Sequence, residues 1–282
     1  MRTLKLAFLI ALLVPFSGCN QLFFHPHSFL IDTPEKHGVE YRIENFHAAD
    51  GTSLNAWFLP ANNKNGGKAT ATVLYLHGNA ENISTHFRSV AWLPAKGFNV
   101  LALDYRGYGT SDGTPSLAGL QLDIDAAMRH LLAHTDVDPN KIIIFGQSLG
   151  GALAIHYIAH SAYRANIRAI VIDSAFFDYR QITNEKLAGS FITWPLQWLP
   201  WLVIDNSYSP ADSVAAISPL PLLLIHGNQD FVVPPVHSRQ LYERAGDPKE
   251  LWLIPGAGHT QSLNNEAVRN KLVEFLFRYT SN

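Results

Sequence analysis

Six short apolar runs, at 72–76, 99–103, 141–145, 169–172, 222–225 and 250–254, alternate along this chain with stretches in which apolar residues recur every three or four positions. The helical stretches fall at 83–96, 116–134, 149–160, 236–245 and 265–279. Runs that are apolar throughout and too short for helices read as strands buried on both faces. Their alternation with helices predicts an α/β fold, a mostly parallel central sheet with helices on both sides. Two earlier stretches, 39–46 and 53–59, alternate apolar with polar residues and are joined by Asp50-Gly51, the pattern of a hairpin. No internal repeat or low-complexity tract interrupts the order.

The alternation breaks once, between Phe176 and Asp212, which predicts a small helical cap insertion at about 177–212 above the sheet. Trp194, Trp198 and Trp201 are spaced four and then three apart within it, the spacing of one helix face. Such a face either buries against the domain or, lying over an active site, walls a pocket for an acyl chain.

The run 141–145 leads into Gly146-Gln147-Ser148-Leu149-Gly150-Gly151 and then into an alanine-rich helical pattern. Strand, sharp turn and helix in that order suit a serine on a strained elbow, where the flanking positions must lack bulk. The helix that begins at Leu149 directs its amide-rich end at the serine, favouring negative charge that develops there. Ser148 is therefore the candidate nucleophile.

A serine hydroxyl needs a base beside it and a carboxylate to hold that base in the right tautomer. Open parallel sheets put such groups in loops at the carboxyl ends of strands. His259 follows the run ending at Ile254, and Asp230 follows the run ending at Ile225. Asp173, at the end of the preceding strand, is a competing acid, otherwise a residue that orders its loop. Two N–H donors are also needed for an oxyanion. One is the amide of Leu149, and the other is the amide of Asn79 in His77-Gly78-Asn79-Ala80, after the strand at 72–76. His77 reads as a structural residue that orients this loop.

These motifs, with Asp104-Tyr105-Arg106-Gly107-Tyr108-Gly109 and Gly256-Ala257-Gly258-His259, together resemble the α/β-hydrolase superfamily of serine hydrolases from about Val39 onward. Within it the chain most resembles small serine hydrolases related to the membrane-tethered lipid hydrolases and depalmitoylases of eukaryotes. The resemblance implies an α/β-hydrolase fold and the chain order Ser148, Asp230, His259, with Asp230 at the usual acid position. It also implies hydrolysis of an ester or thioester without metal or cofactor. A serine peptidase or amidase would use the same residues, and a catalytically silent binding module would share the fold. Arg106 either pairs with a carboxylate or serves packing.

Composition narrows the picture further. With 282 residues, 47% of them hydrophobic, and a formal charge of -2, the chain suits one large-cored domain at 39–282. No long basic run suggests nucleic acid. The polar loop at 62–68 lacks the first glycine of a phosphate loop. The glycines of 107–113 miss the dinucleotide spacing, and His25-Pro26-His27 has no further metal ligand in register. Cys19 is the sole cysteine, so an internal disulfide is excluded. Ahead of it, Arg2 and Lys5 precede an apolar run at 6–16 and the small pair Ser17-Gly18, the form of an export signal at 1–18. Phe16-Ser17-Gly18-Cys19 resembles a bacterial lipobox with phenylalanine in place of the usual leucine. The resemblance implies lipidation of Cys19 and residence in the bacterial envelope, the outer membrane favoured over the inner, and the stretch that follows, polar and aromatic by turns, reads as a tether at 19–38. The expected partners are a lipid-like ester and the membrane itself.

Overall fold

A computed structural model describes residues 24–62, 68–189 and 191–281. The expected signal segment and Cys19 lie outside the described residues, as do residues 63–67 of the polar loop.

Among the described residues, eight strands form one sheet. They are β1 (Arg42–His47), β2 (Ser53–Leu59), β3 (Ala71–Leu76), β4 (Phe98–Asp104), β5 (Ile142–Gln147), β6 (Ile167–Asp173), β7 (Leu222–Gly227) and β8 (Lys249–Ile254). Their spatial order is β8-β7-β6-β5-β3-β4-β2-β1. The pairs from β8 through to β4 are parallel, and only β4 with β2 and β2 with β1 run antiparallel. Five helices matter for the site: α1 (Leu117–Ala133), α2 (Leu149–His160), α3 (Tyr179–Ala188), α4 (Val236–Arg244) and α5 (Glu266–Thr280).

The central strands are apolar throughout because each face has its own core. On β5, Ile142 and Ile144 join one core with Leu120 of α1, Leu153 of α2, Ile182 of α3 and Leu241 of α4. Ile143 and Phe145 join the other, with Leu272 and Phe275 of α5. This is the α/β-hydrolase architecture. Arg106 reaches Asp123 at 2.8 Å and Asp50 at 2.7 Å, tying α1 to the β1–β2 hairpin. Because β3 lies between β5 and β4, the connections leaving β3 and β5 diverge and open a crevice at the carboxyl ends of the strands.

Three expectations need correction. The helix expected at 83–96 is three short turns, Ile83–His86, Phe87–Ser89 and Pro94–Lys96. Pro94 has no amide hydrogen and starts a fresh turn, while Ile83, Phe87, Val90 and Leu93 keep a helix-like spacing because all enter the second core. Residues 24–38 of the expected tether lie packed on the domain, for Phe24 is buried and His25–Pro26 pairs with Ala80–Glu81. Asp32 further fastens the segment by accepting from Arg88 at 3.0 Å. In the cap, the stretch carrying Trp194, Trp198 and Trp201 is not one helix but single turns at Trp194–Leu196 and Pro200–Val203. Pro195 and Pro200 each suit a first turn and cannot continue a helical hydrogen-bond ladder.

Candidate active site

β5 ends at Gln147 and α2 begins at Leu149, leaving Ser148 to make the turn alone, at φ 52° and ψ -116°. A left-handed backbone costs a residue with a Cβ about 1–3 kcal/mol, and its surroundings hold it there. The Ser148 amide donates to the Asp173 carbonyl at 2.9 Å. The flanks have no room for side chains. A Cβ on Gly146 would lie 2.5 Å from the Gly150 carbonyl oxygen, and one on Gly150 would lie 2.1 Å from that of Leu76.

His259, from the loop after β8, brings Nε2 to 3.0 Å from Ser148 Oγ, and its Nδ1 lies 2.7 Å from Asp230 Oδ2. Nδ1–H donates to the carboxylate, which leaves Nε2 as acceptor for the serine hydroxyl. Asp230 is itself fixed, since the amides of Val232 and Val233 both donate to its Oδ1 at 2.8 Å. A second imidazole, His226, stands 3.1 Å from Asp230 Oδ2. Its Nε2 also faces the Val233 carbonyl at 2.8 Å, so that nitrogen carries the proton, and Nδ1 accepts from Ser238 Oγ at 2.6 Å. Burial pushes the Asp230 carboxyl up, but the hydrogen bonds from His226 and His259 win and hold it well below the usual carboxylate range.

Asp173 does not reach His259. It accepts from Gln147 Nε2 at 2.8 Å and from Ser174 Oγ at 3.0 Å, and Ser174 Oγ in turn accepts from the Thr260 amide at 3.1 Å. Burial pushes the Asp173 carboxyl up. The residue therefore links the elbow to the loop that carries His259, the loop-ordering part.

The turn after β3 is held by its carbonyls. Tyr105 donates to His77 O at 3.1 Å, His77 Nδ1 to Gly78 O at 2.7 Å, Tyr108 to Asn79 O at 2.9 Å and His86 Nε2 to Ala80 O at 2.9 Å. Burial lowers His86 to about 4, helped by the neighbouring His77, so the ring is neutral. Four successive carbonyls are thus drawn to ring-bearing side chains. Above Ser148 lies a cavity of about 530 Å³ whose walls include Leu149, Phe176, Ile182, Val232 and Val233. A larger hollow of about 800 Å³ lies at the opposite ends of the strands around Asn99, Asp136 and Lys141, away from this cluster. Among the described residues no cluster of side chains is arranged to hold a metal ion.

A family model described as serine aminopeptidase, S33, matches residues 67–218, more than half of the chain and the stretch that carries both β3 and the elbow. The chain belongs to this S33 family of α/β hydrolases. YfhR of Escherichia coli K12 is 41% identical over 82% of this chain and 78% of its own length. Among solved structures, the esterase Pf2001 of Pyrococcus furiosus is 26% identical with a TM-score of 0.71, covering 91% of this chain and 100% of that one. A puromycin-hydrolysing peptidase of Mycobacterium tuberculosis shares the fold, with 20% identity and a TM-score of 0.64 over 86% of this chain and 39% of that one. The protein is accordingly an α/β hydrolase of esterase or peptidase type.

In this S33 hydrolase the side chains of Ser148, His259 and Asp230 meet, and Leu149 and Asn79 both border the cavity. Trp194, Trp198 and Trp201 do not. All three are exposed, and the apolar wall that the sequence suggested for them is supplied by Phe176 and Ile182, the latter on α3, and by the loop after β7. Sequence reading missed His226, Tyr108 and His86. The spacing of His226 to Asp230 was a usable sign, but nothing marks His86, six residues from Ala80, and Tyr108, within the 104–109 motif, reaches Asn79 only across the fold.

Proposed function

We propose that this hydrolase cleaves a carboxylic ester or thioester through an acyl-enzyme on Ser148. The observation that carries the reading is the hydrogen-bonded chain Asp230–His259–Ser148 at the floor of an apolar cavity. His259 Nε2 takes the hydroxyl proton as Ser148 Oγ attacks the acyl carbon, and Asp230 stabilises the imidazolium. The same proton then goes to the leaving alcohol or thiol, and water resolves the acyl-enzyme by the reverse path. Leu149 is the first residue of α2, where an amide has no intrahelical partner, and it serves as one oxyanion donor. The Asn79 amide serves as the other, positioned by the pinned carbonyls of its turn. Labelling with a fluorophosphonate tests the reading: the wild-type chain should react and Ser148→Ala should not. A wild-type chain that never labels would favour the silent binding module.

The family description and the puromycin-hydrolysing neighbour make aminopeptidase the second reading. An aminopeptidase must bind the substrate's ammonium group, yet none of the described lining residues is a carboxylate, and Lys186 adds a cation there. This favours an ester with an apolar acyl group.

Activity on p-nitrophenyl esters is accordingly expected to rise from acetate to a chain of about C6 to C8, each buried methylene adding up to about 0.8 kcal/mol of transition-state binding. Val232→Ser, which keeps the backbone amide that holds Asp230, should flatten the rise while sparing acetate. A strict preference for acetate in the wild-type chain would exclude the acyl pocket. Tyr108→Phe should lower kcat about tenfold with little change in KM, because it releases the Asn79 carbonyl and loosens a group that acts on the transition state. An unchanged kcat would remove Asn79 from the oxyanion site.

The proposal extends to location: export by residues 1–18 and a lipid anchor at Cys19 in the bacterial envelope, the outer membrane favoured over the inner. Acyl-chain burial is insensitive to salt, so the chain should stay with membranes at high ionic strength. Cys19→Ser is expected to release it, as measured by fractionation, and full retention would exclude this anchor.

A further inference from the structure

Residues 191–202 contain no charged side chain, and their large apolar groups face outward. Phe191 is 97% exposed, Ile192 85%, Leu202 69%, Trp194 61%, and Trp198 and Trp201 58% each. A folded surface rarely leaves so contiguous an apolar patch uncovered unless it meets something. The segment's polar contacts turn the other way, back toward α3. Thr193 Oγ1 donates to Leu187 O at 2.8 Å, and Asn184 Nδ2 donates to Gln197 O at 2.8 Å. The Arg180 guanidinium lies 5.9 Å from the centre of the Trp201 ring. The patch is therefore held as a unit on the helix whose Ile182, Thr183 and Lys186 line the cavity above Ser148.

We infer that residues 191–202 dock onto a lipid bilayer, with the three tryptophans at headgroup depth and the cavity mouth beside the membrane surface. Two observations select lipid over protein. Pro195 and Pro200 restrict the segment to single turns, so it presents neither a helix ridge nor a strand edge for a protein partner to pair with, whereas tryptophans without charge suit the interface. The second is the path of the chain beyond the described residues. His25 lines the same cavity, and Phe24 is separated from Cys19 by five residue steps, at most about 18 Å. The apolar run at 6–16 lies just ahead. A chain held to a membrane by that end carries the cap and the cavity mouth close to the lipid. The inference rests on the proposed N-terminal anchor and not on ester hydrolysis being the reaction.

The test uses the full chain reconstituted with phosphatidylcholine–phosphatidylglycerol vesicles, with and without brominated acyl chains. Half of the six tryptophans lie in the patch, so brominated vesicles should quench about half of the tryptophan emission. The triple variant Trp194→Ser, Trp198→Ser and Trp201→Ser should still float with the vesicles, hydrolyse p-nitrophenyl acetate within about twofold of wild type, and lose that quenching. A second variant, Ile192→Ser with Leu202→Ser, keeps every tryptophan and should lower vesicle partition of the Cys19→Ser chain about tenfold. A wild-type chain that floats without being quenched, equal quenching of wild type and triple variant, or unchanged partition of the second variant would each overturn the inference. So would a wild-type dimer in light scattering that the triple variant fails to form, since a second copy would then cover the patch.

Discussion

Ser148→Ala and His259→Ala are each expected to lower kcat for a p-nitrophenyl ester by about 10⁴- to 10⁶-fold, with the double variant no slower than either single one. On the proposed mechanism nucleophile and base act as one unit, and what either variant retains is the binding and oxyanion contribution. Alanine keeps the Cβ of Ser148 and the backbone amide that donates to Asp173 O at 2.9 Å, so the elbow should persist and the melting temperature should stay near that of wild type. A Ser148→Ala variant that folds normally and retains more than about a hundredth of the activity would remove Ser148 from the reaction.

Asp230→Asn is expected to cost about 10⁴ in kcat, and Asp173→Asn less than tenfold. The local hydrogen bonds explain the asymmetry. Two amides at 2.8 Å, from Val232 and Val233, require an oxygen at the Oδ1 position of residue 230. The new NH₂ of Asp230→Asn must then occupy the Oδ2 position, where it meets Nδ1 of His259 at 2.7 Å and Nε2 of His226 at 3.1 Å. His259 escapes the clash only by moving its proton to Nε2, and in that tautomer it cannot accept from Ser148. At residue 173 the amide fits, because its oxygen can keep the Gln147 donor while the Ser174 hydroxyl turns to accept. A crippled Asp173→Asn beside a mild Asp230→Asn would reverse the assignment of the acid.

The same environment sets the acid side of the pH profile. Asp230 is held below the usual carboxylate range, so it remains ionised as pH falls and the stabilisation it lends is lost only below that range. It therefore adds no proton of its own to the loss of activity on the acid side, and the logarithm of kcat/KM should fall there with a slope no steeper than one. A slope of two would mean that Asp230 titrates as well.

Much of the site was legible because its signals are local. The strained turn at Ser148 needs Gly146 and Gly150, a requirement visible as spacing, and strands covered on both sides must be apolar throughout. His259 and Asp230 could be named because each follows an apolar run, and parallel strands deliver their following loops to one edge of a sheet. The extent of single elements was less legible. Burial in one core gave 83–96 a helical periodicity that Pro94 interrupts, and the four-then-three spacing of the cap tryptophans outlasted the helix it implied because Pro195 and Pro200 break it into turns.

The succession of strands and helices, the elbow and the candidates for nucleophile, base and acid can be read along the chain, since they follow from backbone sterics, short-range periodicity and position after a strand. The folded arrangement of the loops decided which carboxylate meets His259. Asp173 is the last residue of β6, in register with Gln147 and Ile225 and enclosed by its neighbours, whereas Asp230 lies beyond the end of β7, where the loop can turn toward the base. It also decided that His226 joins that carboxylate, that four rings draw the carbonyls of residues 77–80 aside, and that the cap tryptophans face outward instead of over Ser148. These depend on how the loops fold against one another, which leaves no periodic trace in the sequence even where the partners are near in the chain, as His226 and Asp230 are.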